Sequence, residues 1–317
     1  MATKEPSASG IPLDRRSLLK GAALAGLGAV AAGCAGAHAG PASVATAGPA
    51  AGHGARKAPA AGGAPATAGT PASGDTAQMI FTAALIAEDL ATTFYYQGLI
   101  GEVIQDPRLA GPEGSATNVS LLGSPGNVGY LRAALAEEIS HADLMRQLIG
   151  RADAAADPVQ TFFFPAGSFE DLATFVATLD ALESAFVGAY LAAVRQFAAM
   201  AARLPPADGP QLDPKGNAYG SEQLAFFAEV SASILGVEAE HRALGRVIGQ
   251  SIPASNLCYE QTAGIRTVYN GAASAVAALQ PFVKAGAKGF GATGYSLRTA
   301  RAGAAKLLTP CTGGLPG

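Results

Sequence analysis

From residue 76 onward, apolar residues recur at three- and four-residue spacing, with few of the alternating Val/Ile/Thr runs that mark strands. That periodicity predicts helices throughout and places the folded part in the all-α class. Four long stretches carry end signals. Asp75 is positioned to cap the first, which the pattern extends to about Asp106, where Pro107 stops it. Ser124, followed by Pro125 at the first helical position, opens the second, which ends near Gly150. Ser168 with Asp171 forms a capping-box variant for the third, which runs to about Arg203 ahead of Pro205 and Pro206. The fourth spans Ser221 to about Ile248, with Gly249 and Pro253 beyond it. Helices of about 25 to 35 residues joined by longer connections suit an antiparallel four-helix bundle. Beyond it, the Ala-rich stretch from Tyr269 to Leu279 predicts a short fifth helix packed beside the bundle, and Phe162, Phe163 and Phe164 predict a cap over one bundle end.

Charged residues interrupt these apolar stretches in a regular way. Only two histidines lie beyond the low-complexity front, and each follows a glutamate by three residues: Glu138 with His141, and Glu238 with His241. On a helix that step puts both side chains on one face. The two segments also match at Leu144 and Leu244 and at Arg146 and Arg246, so the second reads as a copy of the first, 100 residues on. Glu88 and Glu183 complete the set, and each has a tyrosine seven residues later, Tyr95 and Tyr190. In an antiparallel bundle four helices share a layer where each is near its midpoint, and all four glutamates fall there. One such Glu/His pair alone is usually a solvated pair on a helix face. Burying four carboxylates together instead requires cations or protonation. The two tyrosines could reach back along their own helices toward Glu88 and Glu183, or simply pack in the core. Glu137 and Glu240 point away from the ligand direction and read as outer-shell or solvated groups.

Composition and charge change this picture mainly at the front. The first 75 residues hold six Lys/Arg and three Asp/Glu, which leaves the remainder at 15 − 21, or −6, with no basic patch to suggest nucleic acid. Asp14 to Lys20, with Arg15 and Arg16 at its centre, resembles a twin-arginine export signal, followed by a weakly apolar run too short to span a bilayer. Residues 1–39 therefore read as a targeting segment and 40–75, almost all Ala, Gly, Pro, Ser and Thr, as a disordered linker. Ala31 to Cys34 resembles a lipoprotein box, whereas Ala37 to Ala39 suits ordinary cleavage after Ala39. Lipid on Cys34 would leave Cys258 and Cys311 as an even pair for a bridge in an oxidising compartment. The expected location is periplasmic or cell-surface, with a membrane anchor if Cys34 is processed.

The ordered set Glu88, Glu138-x-x-His141, Glu183, Glu238-x-x-His241 resembles the ferritin-like superfamily of carboxylate-bridged di-metal bundles, which includes bacterioferritin, rubrerythrin and manganese catalase. The resemblance covers roughly residues 76–250, with 251–317 as a C-terminal extension. Within the superfamily, the chain looks most like the exported ferritin-like proteins related to desiccation-related proteins. The resemblance implies two iron or two manganese ions, with Glu138 and Glu238 bridging, His141 and His241 each binding one, and Glu88 and Glu183 as terminal ligands. Many members carry Asp immediately before each Glu-x-x-His glutamate; here Glu137 and Val237 occupy those places, so that outer shell is half present. With Tyr95 and Tyr190, Glu137 is thus a candidate outer-shell group.

Such a centre would suit oxidation of metal or turnover of O2 or peroxide under stress, because bridging carboxylates can shift as the pair changes oxidation state. The other reading is a surface-tethered, non-catalytic protectant in which metals only stiffen the bundle. A closed storage cage fits less well, since the tail and extension would obstruct a shell. Iron versus manganese and the homo-oligomeric state both stay open at the level of sequence.

Overall fold

The computed structural model describes residues 75–203, 211–250, 269 and 271–308. The export signal, most of the linker, and Cys34, Cys258 and Cys311 lie outside these residues. Six α-helices occur among the described residues: α1 (Ala77–Ile100), α2 (Pro125–Leu148), α3 (Leu172–Ala202), α4 (Ser221–Ile248), α5 (Ala272–Val283) and α6 (Leu297–Leu307). Two residue pairs, β1 (Thr161–Phe162) and β2 (Tyr295–Ser296), form a small antiparallel ladder that pins the extension to the α2–α3 connection.

The long helices begin and end for local reasons, two of which correct the expectations from sequence. Ser124 caps α2 with Pro125 in the first turn, and α4 opens at Ser221, as the residue pattern predicts. The cap of α1, however, is Thr76, whose side chain accepts from the Met79 N–H; Asp75 serves α5 instead, accepting from Ala272 N at 2.7 Å and from Gln196 Nε2 at 2.6 Å. A carboxylate at the exposed N–H groups of a neighbouring helix start is well placed both for hydrogen bonding and for the helix dipole. α1 also ends at Ile100 rather than near Asp106. Gly101 turns extended there, and a Cβ on it would press on the backbone oxygens of Phe169 and Gln97, so the chain continues only as a 3-10 turn, Glu102–Gln105. For α3 the cap is Asp171, not Ser168: Asp171 accepts from Thr174 N at 2.8 Å, while Ser168 turns to Pro165 O and Thr178.

Cross-helix pairs establish the topology. Tyr95 meets Glu183 and Tyr190 meets Glu88, so α1 and α3 run antiparallel. His241 faces Glu138, and His141 faces Glu238, so α2 and α4 do too. Within each sequential pair, Glu88 lies by His141 and Phe81 shares a core cluster with Leu148, while Ser184 meets Arg242 and Asp180 meets Arg246; these partners also run in opposite senses. α2 and α3 are therefore parallel, and the connection between them traverses the length of the bundle, carrying β1 with it.

Two apolar clusters fill the interior, one on either side of a polar layer. One gathers Leu90, Phe94 and Leu99 of α1 with Leu131, Phe175 and Leu179; the other gathers Phe81 and Leu85 with Met145, Phe197 and Phe227. Phe162 and Phe164 are buried, and Phe164 packs against Phe94 and Phe169 with ring centroids 5.5 and 5.1 Å apart, closing the first cluster as the expected cap. α5 lies across the seam between α1 and α3. It covers Ala272–Val283 rather than beginning at Tyr269, and α6, which the residue pattern did not announce, packs on α1. Gly303 makes that approach possible, since a Cβ there would overlap the Tyr96 ring. By length and composition α3 is apolar enough to cross a membrane, yet it is a core helix with Glu183 buried on it.

Candidate metal centre

All six candidate ligands meet in the polar layer, delivered by the middles of the four long helices. Glu88 comes from α1, Glu138 and His141 from α2, Glu183 from α3, and Glu238 and His241 from α4. They form two overlapping groups, Glu88, Glu138, His141, Glu238 and Glu138, Glu183, Glu238, His241; within each group one ligand atom per residue lies within 4.8 Å of all the others. Glu138 and Glu238 belong to both groups, which is the arrangement that two adjacent cations sharing two carboxylates require.

Distances and burial make the layer chemically unusual. His141 Nδ1 lies 3.3 Å from Glu88 Oε2, 3.8 Å from Glu138 Oε2 and 3.5 Å from Glu238 Oε1. His241 Nδ1 lies 2.9 Å from Glu138 Oε1, 3.7 Å from Glu238 Oε2 and 3.9 Å from Glu183 Oε1. All four carboxylates and His241 are buried, and His141 is nearly so. Yet Glu88 Oε2, Glu183 Oε2, both oxygens of Glu138 and of Glu238, and both Nδ1 atoms have no aligned hydrogen-bond partner. Even the 2.9 Å approach of His241 to Glu138 is not directed along an N–H axis. Eight buried polar atoms crowded together without hydrogen-bond partners are the pattern of a donor set, and carboxylate oxygens with imidazole nitrogens suit a divalent cation.

Titration follows from that crowding. Burial pushes Glu88 and Glu183 well above the usual carboxylate range, with Glu238 adding repulsion to each. Burial acts the same way on Glu138, but the close approach of His141 and His241, with the charge of His241, outweighs it and holds that carboxyl low. Burial disfavours the charged form of both imidazoles, yet Glu88, Glu138 and Glu238 raise His141, and Glu137, Glu138 and Glu238 raise His241. Without cations, protons must fill part of the charge gap.

Around this layer the structure sorts the outer candidates. Tyr95 donates to Glu183 Oε1 at 2.6 Å, and Tyr190 donates to Glu88 Oε1. Each tyrosine thus reaches across to the other helix rather than back to the glutamate seven residues before it. The antiparallel pairing of α1 with α3 sets position 95 beside 183 and 190 beside 88, whereas along one helix seven residues is roughly 10 Å of rise. Glu137 is half exposed and sits 2.8 Å from His241 Nε2, which leaves Nδ1 facing the centre. His141 has no carboxylate in the corresponding place, since Val237 stands there.

Two further groups escaped the sequence pattern. Tyr130 donates to the His241 carbonyl at 2.7 Å and places its ring against the imidazole, 6.2 Å between centroids. Behind Glu88, the buried Arg146 binds Asp89 at 2.7 Å and Asp157 at 2.6 Å, and it also meets Asp143, which Arg301 of α6 reaches as well. Two guanidiniums do not neutralise three carboxylates, and burial pushes Asp89 up to about 8 despite Arg146 and Arg301. Arg146 had a signal, its match with Arg246; Asp89, next to Glu88, and Asp157, in a connection, had none.

Compared with known proteins, residues 76–203 match the family model described as a ferritin-like domain. That span takes in α1, α2 and α3 and stops short of α4 with Glu238 and His241. No curated protein and no solved structure matches the chain.

Proposed function

The chain carries a ferritin-like domain, and on that premise we propose that its six converging side chains hold two ions of iron or manganese and that the protein uses them in redox chemistry on O2 or peroxide, in protection against oxidative stress. The sharing of Glu138 and Glu238 between two complete donor groups carries the reading. Four carboxylates bring four negative charges, which two divalent cations cancel; protons alone would leave buried donors facing one another. In this assignment Glu138 and Glu238 bridge, Glu88 with His141 completes one position, and Glu183 with His241 completes the other. Tyr190 and Tyr95 hold the terminal carboxylates through one oxygen each, so that the second oxygen points inward. Glu137 accepts a hydrogen bond from the Nε2–H of His241 in the tautomer whose Nδ1 lone pair faces the centre. Bound as a pair, the metals would supply electrons for reduction of O2, or would give electrons to one peroxide and take them back from a second in disproportionation.

Elemental analysis of the purified protein tests the assignment, with about two metals per chain expected and a Glu138→Ala/Glu238→Ala variant retaining neither. A ratio unaffected by that double change would overturn it. A second reading, in which the metals serve only to stiffen a non-catalytic, desiccation-related bundle, is favoured by Val237, which leaves His141 without the support that Glu137 gives His241. Metal-replete protein that gains thermal stability but turns over neither O2 nor peroxide above the free-ion rate would select it. The residues near Arg15 and Arg16, and Cys34, support a reading of export by the twin-arginine route, with a lipid anchor where Cys34 is processed. Export of the folded protein would allow metal to be loaded inside the cell. Mass spectrometry of the mature N-terminus checks the processing, and thiol labelling of the unreduced protein checks a bridge between Cys258 and Cys311.

A further inference from the structure

The two ligand groups repeat one another across the bundle, and the repetition breaks at one pair of residues. Glu138 approaches His241 at 2.9 Å and Glu238 approaches His141 at 3.5 Å, so each Glu-x-x-His segment serves the other's imidazole in the same way. One residue earlier in α2, Glu137 meets the outer nitrogen of His241, Nε2, at 2.8 Å. The residue that corresponds to it in α4 is Val237, whose side chain has no polar atom to offer His141. The three carboxylates close to His141 all lie at Nδ1, and among the described residues none lies at Nε2.

Other contacts fall on the same side of this difference. The rings of Tyr95 and Tyr130 flank His241, with centroids 5.6 and 6.2 Å away, and the Tyr130 hydroxyl donates to the His241 carbonyl at 2.7 Å. The side chain of His241 is 1% exposed, whereas that of His141 is 13% exposed, the most of the six ligands. Support for the terminal glutamates is even, with Tyr95 on Glu183 and Tyr190 on Glu88, so the imidazoles are where the two halves part. A side chain already held in its binding orientation loses little freedom when an ion arrives, whereas an unsupported one must be ordered at that moment. An outer partner of a metal-binding imidazole is worth about 10- to 100-fold in affinity.

We propose that the two metal positions are unequal: the Glu183/His241 position fills first and holds its ion, the Glu88/His141 position fills second and exchanges its ion with solvent, and Glu137 and Val237 are the positioning residues that set this order. The order presupposes the di-metal reading and adds to it which ion is labile. Charge alone would separate two binding steps even between equal positions, because the first ion neutralises part of the shared Glu138 and Glu238. What distinguishes unequal positions is where the first ion sits.

Crystals of the full-length protein prepared metal-free and then given one equivalent of manganese per chain test this, with the anomalous scattering of manganese measured at each position. Occupancy beside His241 should exceed that beside His141 by about 10-fold or more. Glu137→Ala, at a half-exposed helix position, should bring the two occupancies close to even by weakening the first position. Val237→Glu should do the same by strengthening the second, a gain that loss of structure cannot mimic. In both variants excess manganese should still fill the centre to the parent's metal-to-chain ratio. Equal occupancy in the parent protein, a first ion beside His141, or a preference that either folded variant leaves unchanged would overturn the proposal. Glu137→Ala alone decides the matter should Val237→Glu not fold. Absence of manganese from both positions under excess metal would instead defeat the di-metal reading on which the order rests.

Discussion

His241 shows how one side chain is aimed from several directions at once. Its position three residues after Glu238 sets the helix face, Glu137 of α2 takes its Nε2, and Tyr95 and Tyr130 flank its ring. Removing one orienting contact should weaken metal binding without destroying it. We expect Tyr190→Phe to reduce affinity for one of the two ions by about 10- to 100-fold while the other ion still binds, read by titration with manganese. pH should act on the metal-free protein in one direction. Glu88 and Glu183, whose ordinary value is 4.5, and His141 and His241, whose ordinary value is 6.5, are all raised by folding, so the folded state binds more protons than the unfolded chain above those values. Stability from these groups is complete below their unfolded values and is lost as pH rises through the folded ones, outweighing Glu138, whose opposite shift matters only in strong acid. The thermal midpoint of metal-free protein should therefore fall between about pH 5 and about pH 8, and added manganese should restore more of it at the higher pH. A midpoint that climbs over that range without metal would contradict the charge assignment.

Close approach and buried charge decide how the helices lock together. Gly98 of α1 faces the Phe175 ring of α3, which stacks on Phe94 at 4.9 Å, and a Cβ on Gly98 would overlap that ring. Gly98→Ala should cost about 1–3 kcal/mol, seen as a lower midpoint in urea, because neither aromatic ring has room to retreat. Arg146 is a harder case. It binds Asp89 and Asp157 in the interior, and Arg146→Met would leave both carboxylates buried without a cation, a loss of roughly 3–5 kcal/mol in the same measurement. Its counterpart in the second repeat, Arg246, pairs with the more exposed Asp180 at 2.7 Å and should matter much less on replacement by methionine, about 1 kcal/mol or below. The caps follow the same local logic: Asp171→Ala removes the acceptor at the start of α3 and should cost about 1 kcal/mol, whereas Ser168→Ala leaves that helix start intact.

At the scale of the whole molecule, the polar layer joins all four long helices, and the C-terminal extension packs against α1, α2 and α3. The layer sits between the two apolar clusters, so cations bound there would cross-link α1, α2, α3 and α4 at once. Metal at about 100 times its dissociation constant should add about 2.7 kcal/mol per independent site, and a chelator should reverse it. The extension contributes differently. α6 rests on Tyr96, Arg301 joins Asp143, and β2 pairs with β1 on the connection that traverses the bundle. Ending the chain after residue 250 should therefore uncover Phe164 and Tyr96 and increase binding of a hydrophobic dye without changing the metal-to-chain ratio. Loss of metal on that truncation would show that the extension shapes the centre itself.

By itself the sequence determined the long helices and the identity of the six converging residues, because both are written in local spacing. Apolar periodicity, Pro125 after Ser124, and a glutamate three residues before each late histidine need no knowledge of partners. Two caps went to neighbouring residues because Thr76 and Asp75, or Ser168 and Asp171, are chemically equivalent choices until the surrounding chain assigns each oxygen its donor. Everything that depends on which helix lies beside which was left to the tertiary structure. The crossing of Tyr95 to Glu183 and of Tyr190 to Glu88 and the Arg146 network with Asp89 and Asp157 all join residues far apart in the chain. A helix fixes the direction of a side chain relative to its own axis, but the partner that side chain meets is set by antiparallel packing, and that becomes visible only once the helices are assembled.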